Sequence, residues 1–220
     1  MKIETTAVVI CGAGPAGLTL AHLLGQQEVD VILVERLPET VAEPRAIAID
    51  GESLRTLQQV GMLEGFESEL LQGLTAVYER GDGGELFRVG NPELKPYGYS
   101  TVNSFDQPTL DRYLAKELEA RKTVDVRFNT DLESFDQDES GVRVICRDSD
   151  GESFEIKADY LIGADGGRST IRSLLKMEIK GESTPLPGLV LDTVDPIPEG
   201  QLDCQFYCDP PRPGMPRRKQ

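Results

Sequence analysis

A glycine-rich turn near the start of the chain has the residue types needed to bind a phosphate group. Gly12, Gly14 and Gly17 follow a continuous apolar run at residues 8–10 and precede an apolar segment at residues 18–24. A strand, a tight turn and a helix in this order let Gly12 make the turn, Gly14 expose backbone N–H groups and Gly17 pack closely. The helix start adds N–H donors and a positive dipole end, so the pattern predicts a pyrophosphate site.

An acidic residue completes a dinucleotide-binding pattern. Glu35 ends a second apolar strand at residues 29–34 and lies 18 positions after Gly17. A carboxylate there can accept hydrogen bonds from the ribose hydroxyls of an adenosine. The pattern alone leaves two alternatives open: a glycine-rich turn in another kind of α/β protein, and either NAD or FAD as the dinucleotide.

A second carboxylate follows a later buried strand. Asp165 comes directly after the apolar run at residues 160–164, and Gly166 and Gly167 separate it from a helix that Ser169 would cap. The carboxylate can accept a hydrogen bond from a sugar-alcohol hydroxyl, and Gly166 has no Cβ to obstruct the ligand. Taken alone, Asp165-Gly166 is equally typical of a plain turn.

Composition excludes several classes of partner. The formal net charge of the 220-residue chain is −15, which disfavours nucleic acid and anionic membrane surfaces. Glycines and a proline interrupt the apolar run at residues 7–25, so we expect no stable membrane association. The four cysteines form no C-x-x-C pair and His22 is the only histidine, so we expect no metal site and a reducing, cytoplasmic location.

The remaining pattern predicts an α/β fold: a Rossmann-like domain joined to a second, mainly β domain. We expect Gly25 to cap the first helix at its C-terminus, Asp50 to begin a second helix, and Pro108 to take the first position of a third. Two hairpins are predicted, one at residues 74–89 and one formed by residues 142–146 and 154–156. Single strands are predicted at residues 124–128, 160–164, 188–194 and 202–208.

Together these motifs resemble the class A flavoprotein aromatic hydroxylases, which share the para-hydroxybenzoate hydroxylase fold, and within them most closely the 3-(3-hydroxyphenyl)propionate hydroxylases. The resemblance rests on the motifs at residues 12–17, 35–36, 44–61, 107, 165–172 and 208–213. It implies FAD as resident cofactor, NADH or NADPH as co-substrate, and hydroxylation of a small phenolic or aromatic substrate with O2.

The resemblance also assigns roles by position. Contacts with the pyrophosphate fall to Gly12, Gly14, Pro15, Ala16, Gly17 and Arg45. Contacts with the adenosine fall to Glu35, Arg36 and Leu132, and those with the flavin side and ribityl chain to Gln107, Asp165 and Gly166. Surface charge is the alternative for the two arginines, and a simple helix cap is the alternative for Gln107. No catalytic acid or base is assigned.

Members of this family are much longer than 220 residues, so we expect the chain to correspond to their N-terminal portion. The predicted division is an FAD-binding domain at residues 1–73 and 101–180 and a partial substrate domain at 74–100 and 181–220. A homodimer or a missing C-terminal half would complete it. The alternatives are a non-catalytic FAD-binding fragment, a nicotinamide-dependent Rossmann oxidoreductase, and a reductase or epoxidase of the same superfamily acting on lipids or quinones.

Overall fold

The computed structural model describes residues 2–182 and 203–208. The helices are α1 (Pro15–Gln26), α2 (Gly51–Gln59), α3 (Gln107–Leu118) and α4 (Thr170–Leu174). The strands are β1 (Ile3–Cys11), β2 (Val31–Val34), β3 (Ala48–Ile49), β4 (Leu71–Gln72), β5 (Thr75–Arg80), β6 (Glu85–Val89), β7 (Asn103–Ser104), β8 (Val124–Arg127), β9 (Asp131–Asp138), β10 (Gly141–Arg147), β11 (Ser153–Gly163) and β12 (Asp203–Cys208).

A six-stranded sheet in the order β8-β2-β1-β11-β10-β9 organises the chain. The first four strands of that order run parallel, and β10 and β9 continue the sheet in antiparallel fashion. Apolar residues cover both faces: Val8 and Ile10 belong to one core cluster, whereas Val9 and Cys11 belong to another. This doubly covered sheet confirms the predicted α/β class.

Helices α1 and α3 pack against each other on the first of these clusters. The predicted C-cap at Gly25 is wrong, because α1 continues to Gln26 and is capped by Gln27. A Cβ at Gly25 would lie 2.7 Å from Cγ2 of Val124, so this glycine allows the helix to approach the sheet closely. The left-handed conformation after the helix is adopted by Glu28 instead, with φ 59°.

Strand β11 corrects a second expectation. The sequence predicts separate strands at residues 154–156 and 160–164, but one continuous strand spans Ser153–Gly163, and Ala164 follows its end. Its first part pairs antiparallel with β10, from Arg147↔Ser153 to Val142↔Ala158, while its length pairs parallel with β1. The polar residues between the two apolar runs obscured this continuity.

Strand β9 has no counterpart among the predictions. Its sequence is largely acidic and polar, and only Leu132 is buried. It lies at the edge of the sheet, where charged side chains protect an exposed edge from pairing with another chain. Strand periodicity is weak in such a sequence because only one side chain has to enter the core.

A separate three-stranded sheet has the order β12-β5-β6. It confirms the hairpin predicted at residues 74–89, formed by β5 and β6, and β12 confirms the predicted last strand over its described residues 203–208. Aromatic rings stack across it, Tyr78 with Phe87 at 4.3 Å and Tyr78 with Phe206 at 4.5 Å between centroids. The predicted strand at residues 188–194 and the tail at 209–220 lie outside the described residues. The proposed domain boundaries stay a prediction.

Helix starts follow the predicted capping chemistry closely. Asp50 accepts a hydrogen bond from the Ser53 amide at the start of α2, and Ser169 accepts one from the Arg172 amide at the start of α4. Helix α3 begins one residue earlier than expected, at Gln107, so Pro108 occupies its second position. A third, small sheet in the order β3-β7-β4 links the segments on either side of α2.

Candidate functional site

A cavity of about 350 Å³ opens where β1, β2 and β11 end. The carboxyl ends of parallel strands are the usual position of ligands in open α/β sheets. The structure brings all but one of the predicted site residues to its walls, namely Gly12, Gly14, Pro15, Ala16, Glu35, Arg36, Arg45, Gln107, Leu132, Asp165 and Gly166. The predicted residue that does not line it is Gly17.

Two glycines of the turn serve the packing of the chain. Gly12 has φ 110°, and a Cβ there would lie 2.5 Å from the carbonyl oxygen of Ala164. A Cβ at Gly17 would lie 2.0 Å from the carbonyl oxygen of Gly12. Gly17 therefore lets α1 approach the turn closely, as the sequence pattern predicts, and its contact with a pyrophosphate stays a prediction.

Gly14 has a different reason to be a glycine. A Cβ there would meet no atom of the described chain within 4 Å, and its backbone, at φ −87° and ψ −178°, is a conformation that any residue adopts. Gly14 also lines the cavity. No side chain of the described residues caps α1, so its first N–H groups and positive dipole end remain unpaired at this wall. The geometry suits an anion that approaches the backbone closely.

Glu35 ties the glycine turn to the end of β2. Its Oε2 accepts a hydrogen bond from the Ala13 amide at 2.9 Å, and its Oε1 accepts one from the Leu37 amide at 2.9 Å. Each carboxylate oxygen can accept more than one bond. The carboxylate is therefore oriented by the backbone and retains the capacity to accept from ligand hydroxyls.

Asp165 is similarly anchored by the chain. Its Oδ2 accepts hydrogen bonds from the amides of Thr170, at 2.6 Å, and Ile171, at 3.2 Å, at the start of α4. Its Oδ1 has no hydrogen bond within the described part of the chain, and Asp165 lines the cavity. The residue is thus more than a plain turn, because it organises the helix start beside the cavity.

The backbone conformation directly after Asp165 favours a glycine at position 166. Gly166 has φ 73°, a left-handed value that side chains disfavour. A Cβ there would lie 3.7 Å from Nη1 of Arg45, which places the guanidinium next to the loop that follows β11. The sequence predicts a glycine here because the absence of a Cβ leaves room for a ligand. The backbone conformation is a second reason for the same residue.

Gln107 holds a loop of the cavity wall in place. Its Oε1 accepts hydrogen bonds from the amides of Arg45 and Ala46, both at 2.9 Å, and its Nε2 donates to Oδ2 of Asp111 at 3.1 Å. The simple helix-cap alternative for Gln107 is wrong, because Asp106 caps α3 by accepting from the Thr109 amide. Gln107 therefore holds this part of the wall through its Oε1 and is itself bonded to Asp111 through its Nε2.

Several residues of the wall were not predicted. Arg168 belongs to the same motif as Asp165, so the sequence does contain a signal that predicts it as a wall residue. Thr130 lies between β8 and β9, Asp131 begins β9, and no sequence pattern marks either residue. Cys11 also reaches the cavity, but burial raises the pKa of its thiol to about 12, so the thiol is protonated and a poor nucleophile.

The single histidine is outside the cavity. Nε of Arg121 donates to Nδ1 of His22, so Nε2 carries the hydrogen and donates to the carbonyl oxygen of Leu114 at 2.9 Å. Burial lowers the pKa of this imidazole and keeps it neutral. Its role is to join α1 to α3.

Among residues 2–182 and 203–208, no three His, Cys, Asp or Glu side chains are grouped in a way that could hold a metal ion. Over the same residues, no helix is long and apolar enough to cross a membrane.

Comparison with known proteins gives consistent matches. A family model described as an FAD binding domain matches residues 5–215. The chain is 38% identical over 207 residues to the 3-(3-hydroxy-phenyl)propionate/3-hydroxycinnamic acid hydroxylase of Comamonas testosteroni, covering 94% of this chain and 35% of that protein. It is 37% identical over 218 residues to the enzyme of the same name from Paraburkholderia xenovorans, covering 96% and 34%. The chain therefore spans about a third of the length of these relatives.

Solved structures agree with this likeness. The flavin-dependent monooxygenase PieE, in complex with FAD and substrate, matches with a TM-score of 0.69 and 27% identity, over 81% of this chain and 33% of that one. Aklavinone-11 hydroxylase, in a ternary complex with FAD and aklavinone, matches with a TM-score of 0.66 and 27% identity, over 80% and 36%.

Proposed function

We propose that this chain, which belongs to the FAD binding domain family, forms the FAD-binding part of a monooxygenase that hydroxylates a phenolic substrate with NAD(P)H and O2. FAD is the cofactor of the family to which the chain belongs. The hydroxylation is our inference for the whole protein, since the chain spans about a third of the relatives that carry this activity in their names.

The observation that carries the proposal is the space beside Gly14. The described residues offer no steric reason for a glycine there, and Gly14 lines the cavity at the uncapped start of α1. A pyrophosphate needs this combination of open backbone and helix dipole. The residues present therefore fit the cofactor at its most highly charged part.

The other walls fit the remaining parts of FAD. Glu35 is oriented by backbone donors at the end of β2, where it would accept from the ribose of the adenosine. Asp165 has an oxygen free of hydrogen bonds to the described residues, which would accept from the ribityl chain. We propose that Arg36 and Leu132 border the adenosine, and that Arg45 binds the pyrophosphate beside Gly166.

When bound, FAD supplies the redox chemistry that links NAD(P)H to O2. The residues of this chain bind the dinucleotide, orient it through Glu35 and Asp165, and hold the adjoining loop through Gln107. We assign no catalytic acid or base to the described residues. The names of the relatives point to 3-(3-hydroxyphenyl)propionate or a similar phenolic acid as the first substrate to test.

A nicotinamide-dependent Rossmann oxidoreductase is the competing function. The glycine turn and Glu35 would serve either dinucleotide, but the family match and the placement of Asp165 at the same cavity favour FAD. We further propose a cytoplasmic protein, with the division into FAD-binding and substrate domains given above. We also propose that a C-terminal half or a second copy of the chain completes the partial substrate domain.

The decisive experiment measures binding of FAD and of NAD to the purified chain, by flavin fluorescence and by calorimetry. We expect FAD to bind, and Gly14→Val to abolish binding while the circular dichroism spectrum and the unfolding midpoint stay close to those of the unsubstituted chain. Gly151→Asn, in the turn between β10 and β11, is the matched control, since Asn tolerates its φ of 82°. Binding of NAD without FAD would overturn the proposal.

A further inference from the structure

The cavity wall contains a loop whose backbone is held by one buried side chain. Residues 37–47 between β2 and β3 form no helix or strand, and Arg45 lies in this stretch. The amides of Arg45 and Ala46 both donate to Oε1 of Gln107. Gln107 is only 4% exposed, so water cannot readily replace this acceptor. The position of the Arg45 backbone thus depends on which way the Gln107 amide faces.

A carboxamide can be turned end for end, and its neighbours decide its orientation. Two backbone N–H groups on one side of Gln107 require an oxygen there, which directs its Nε2 to the other side. On that side Nε2 meets Oδ2 of Asp111 at 3.1 Å. Gln107 and Asp111 are four residues apart on α3, so the helix places one side chain over the other.

Asp111 is an unusual residue for a packing role. It is completely buried, does not line the cavity, and its Oδ1 is buried without a hydrogen-bond partner among the described residues. A buried acceptor with no partner lowers stability, and an apolar residue would avoid this cost. What Asp111 provides in return is an acceptor for Nε2 of Gln107.

We infer that Asp111 is a positioning residue of the cofactor site, which fixes the orientation of the Gln107 amide and through it the backbone at Arg45 and Ala46. It touches neither the cavity nor a ligand and acts only through Gln107. The link to FAD rests on the proposed function, whereas the link to the loop backbone does not.

The first test is hydrogen exchange of the Arg45 and Ala46 amides in the chain without FAD. We expect protection in the unsubstituted chain, exchange roughly tenfold faster in Asp111→Leu, and near-normal protection in Asp111→Asn, whose side-chain oxygen can still accept. Leu118→Ala is the control, because it removes buried packing from the same helix and leaves the Gln107 bonds in place. Unchanged protection in a folded Asp111→Leu variant would overturn the inference.

The second test reverses the direction of the hydrogen bond between residues 107 and 111. It tests the positioning role of Asp111 even if Asp111→Leu does not fold. Gln107→Glu keeps an acceptor for the two amides but removes the donor to Asp111 and sets two carboxyl groups against each other. We expect the protection to be lost. The double variant Gln107→Glu/Asp111→Asn restores a donor and an acceptor with reversed direction, and we expect protection to return. A double variant no better protected than the single one would contradict a positioning role.

FAD affinity of the same variants provides a separate readout. If the inference and the proposed function both hold, the dissociation constant rises in Gln107→Glu and recovers in the double variant. If the chain does not bind FAD at all, the proposed function fails while the exchange data still decide the role of Asp111. If hydrogen exchange follows the prediction but FAD affinity is the same in all variants, Asp111 positions the loop alone. Its assignment to the cofactor site is then overturned.

Discussion

The carbonyl oxygen of Gly12 lies 2.0 Å from the position that a Cβ on Gly17 would occupy. This contact separates the glycines of one motif into two kinds. Gly17 is required by the fold, because backbone atoms cannot move aside as a flexible side chain can. Gly14, three residues earlier, faces open space, so no contact within the described residues requires a glycine there.

Substitution by alanine should separate these two roles. We expect Gly17→Ala to destabilise the chain by about 3 kcal/mol or more through overpacking. Gly14→Ala should leave the free energy of unfolding nearly unchanged, because its backbone is already extended and unobstructed. Urea unfolding of both variants without FAD measures the difference. Similar stabilities for the two would show that the turn relaxes and that the packing explanation is wrong.

Asp165 should show two effects that different substitutions separate. Asp165→Ala removes the acceptor for the Thr170 and Ile171 amides, so we expect a loss of about 1 kcal/mol of stability without FAD. It should also weaken FAD binding by about 10- to 100-fold. Asp165→Asn retains a capping oxygen but loses the charge.

We therefore expect Asp165→Asn to have nearly normal stability and reduced FAD affinity. Thermal unfolding and flavin fluorescence titration together test this pattern. A dissociation constant that is unchanged in Asp165→Ala would leave the residue with a purely structural role at α4.

Asp111 should give the chain a dependence of stability on pH. Burial raises the pKa of its carboxyl from 3.8 to about 6, with the Gln107 hydrogen bond opposing this rise. Between these values the folded chain binds more protons than the unfolded chain, so rising pH lowers stability. The penalty is absent below the unfolded pKa and complete above the folded pKa, where it is on the order of 3 kcal/mol.

Asp111→Asn cannot ionise and removes this contribution. Urea unfolding at pH 5.0 and 7.5 should show that the variant gains roughly 1 to 1.5 kcal/mol relative to the unsubstituted chain as pH rises. The other carboxylates cancel in this comparison because both proteins contain them. A difference that does not vary with pH would mean that Asp111 ionises normally in the folded chain.

Arg45 should be sensitive to the shape of its cation. Its guanidinium lies beside Gly166 at the cavity, and planar, bidentate donors suit phosphate oxygens better than an ammonium group does. We expect Arg45→Lys to weaken FAD binding by roughly tenfold, the loss of about one charge-assisted hydrogen bond. Arg143→Lys, whose partner Asp136 is exposed on the sheet edge, is the control. If Arg45→Lys and Arg143→Lys bind FAD with equal affinity, Arg45 is a surface charge that does not contribute to cofactor binding.

The sequence by itself determined the features that local chemistry encodes. The glycine turn, Glu35 and the capping residues Asp50 and Ser169 are each recognisable within a few residues, because turns and helix starts have strong residue requirements. The α/β class follows from the order of those local signals, and the same order predicts a cofactor site at the strand ends.

The tertiary structure decided what depends on residues far apart in the chain. The sequence predicts a cap at Gly25 because the close approach of this glycine to Val124 arises only when α1 packs on the sheet. Strand β9 was missed because an edge strand needs few apolar residues, and β11 was divided because its pairing with β1 and β10 is not visible in its own sequence. The hydrogen bonds of Gln107 to Arg45, 62 residues away, depend on long-range packing that local periodicity does not record.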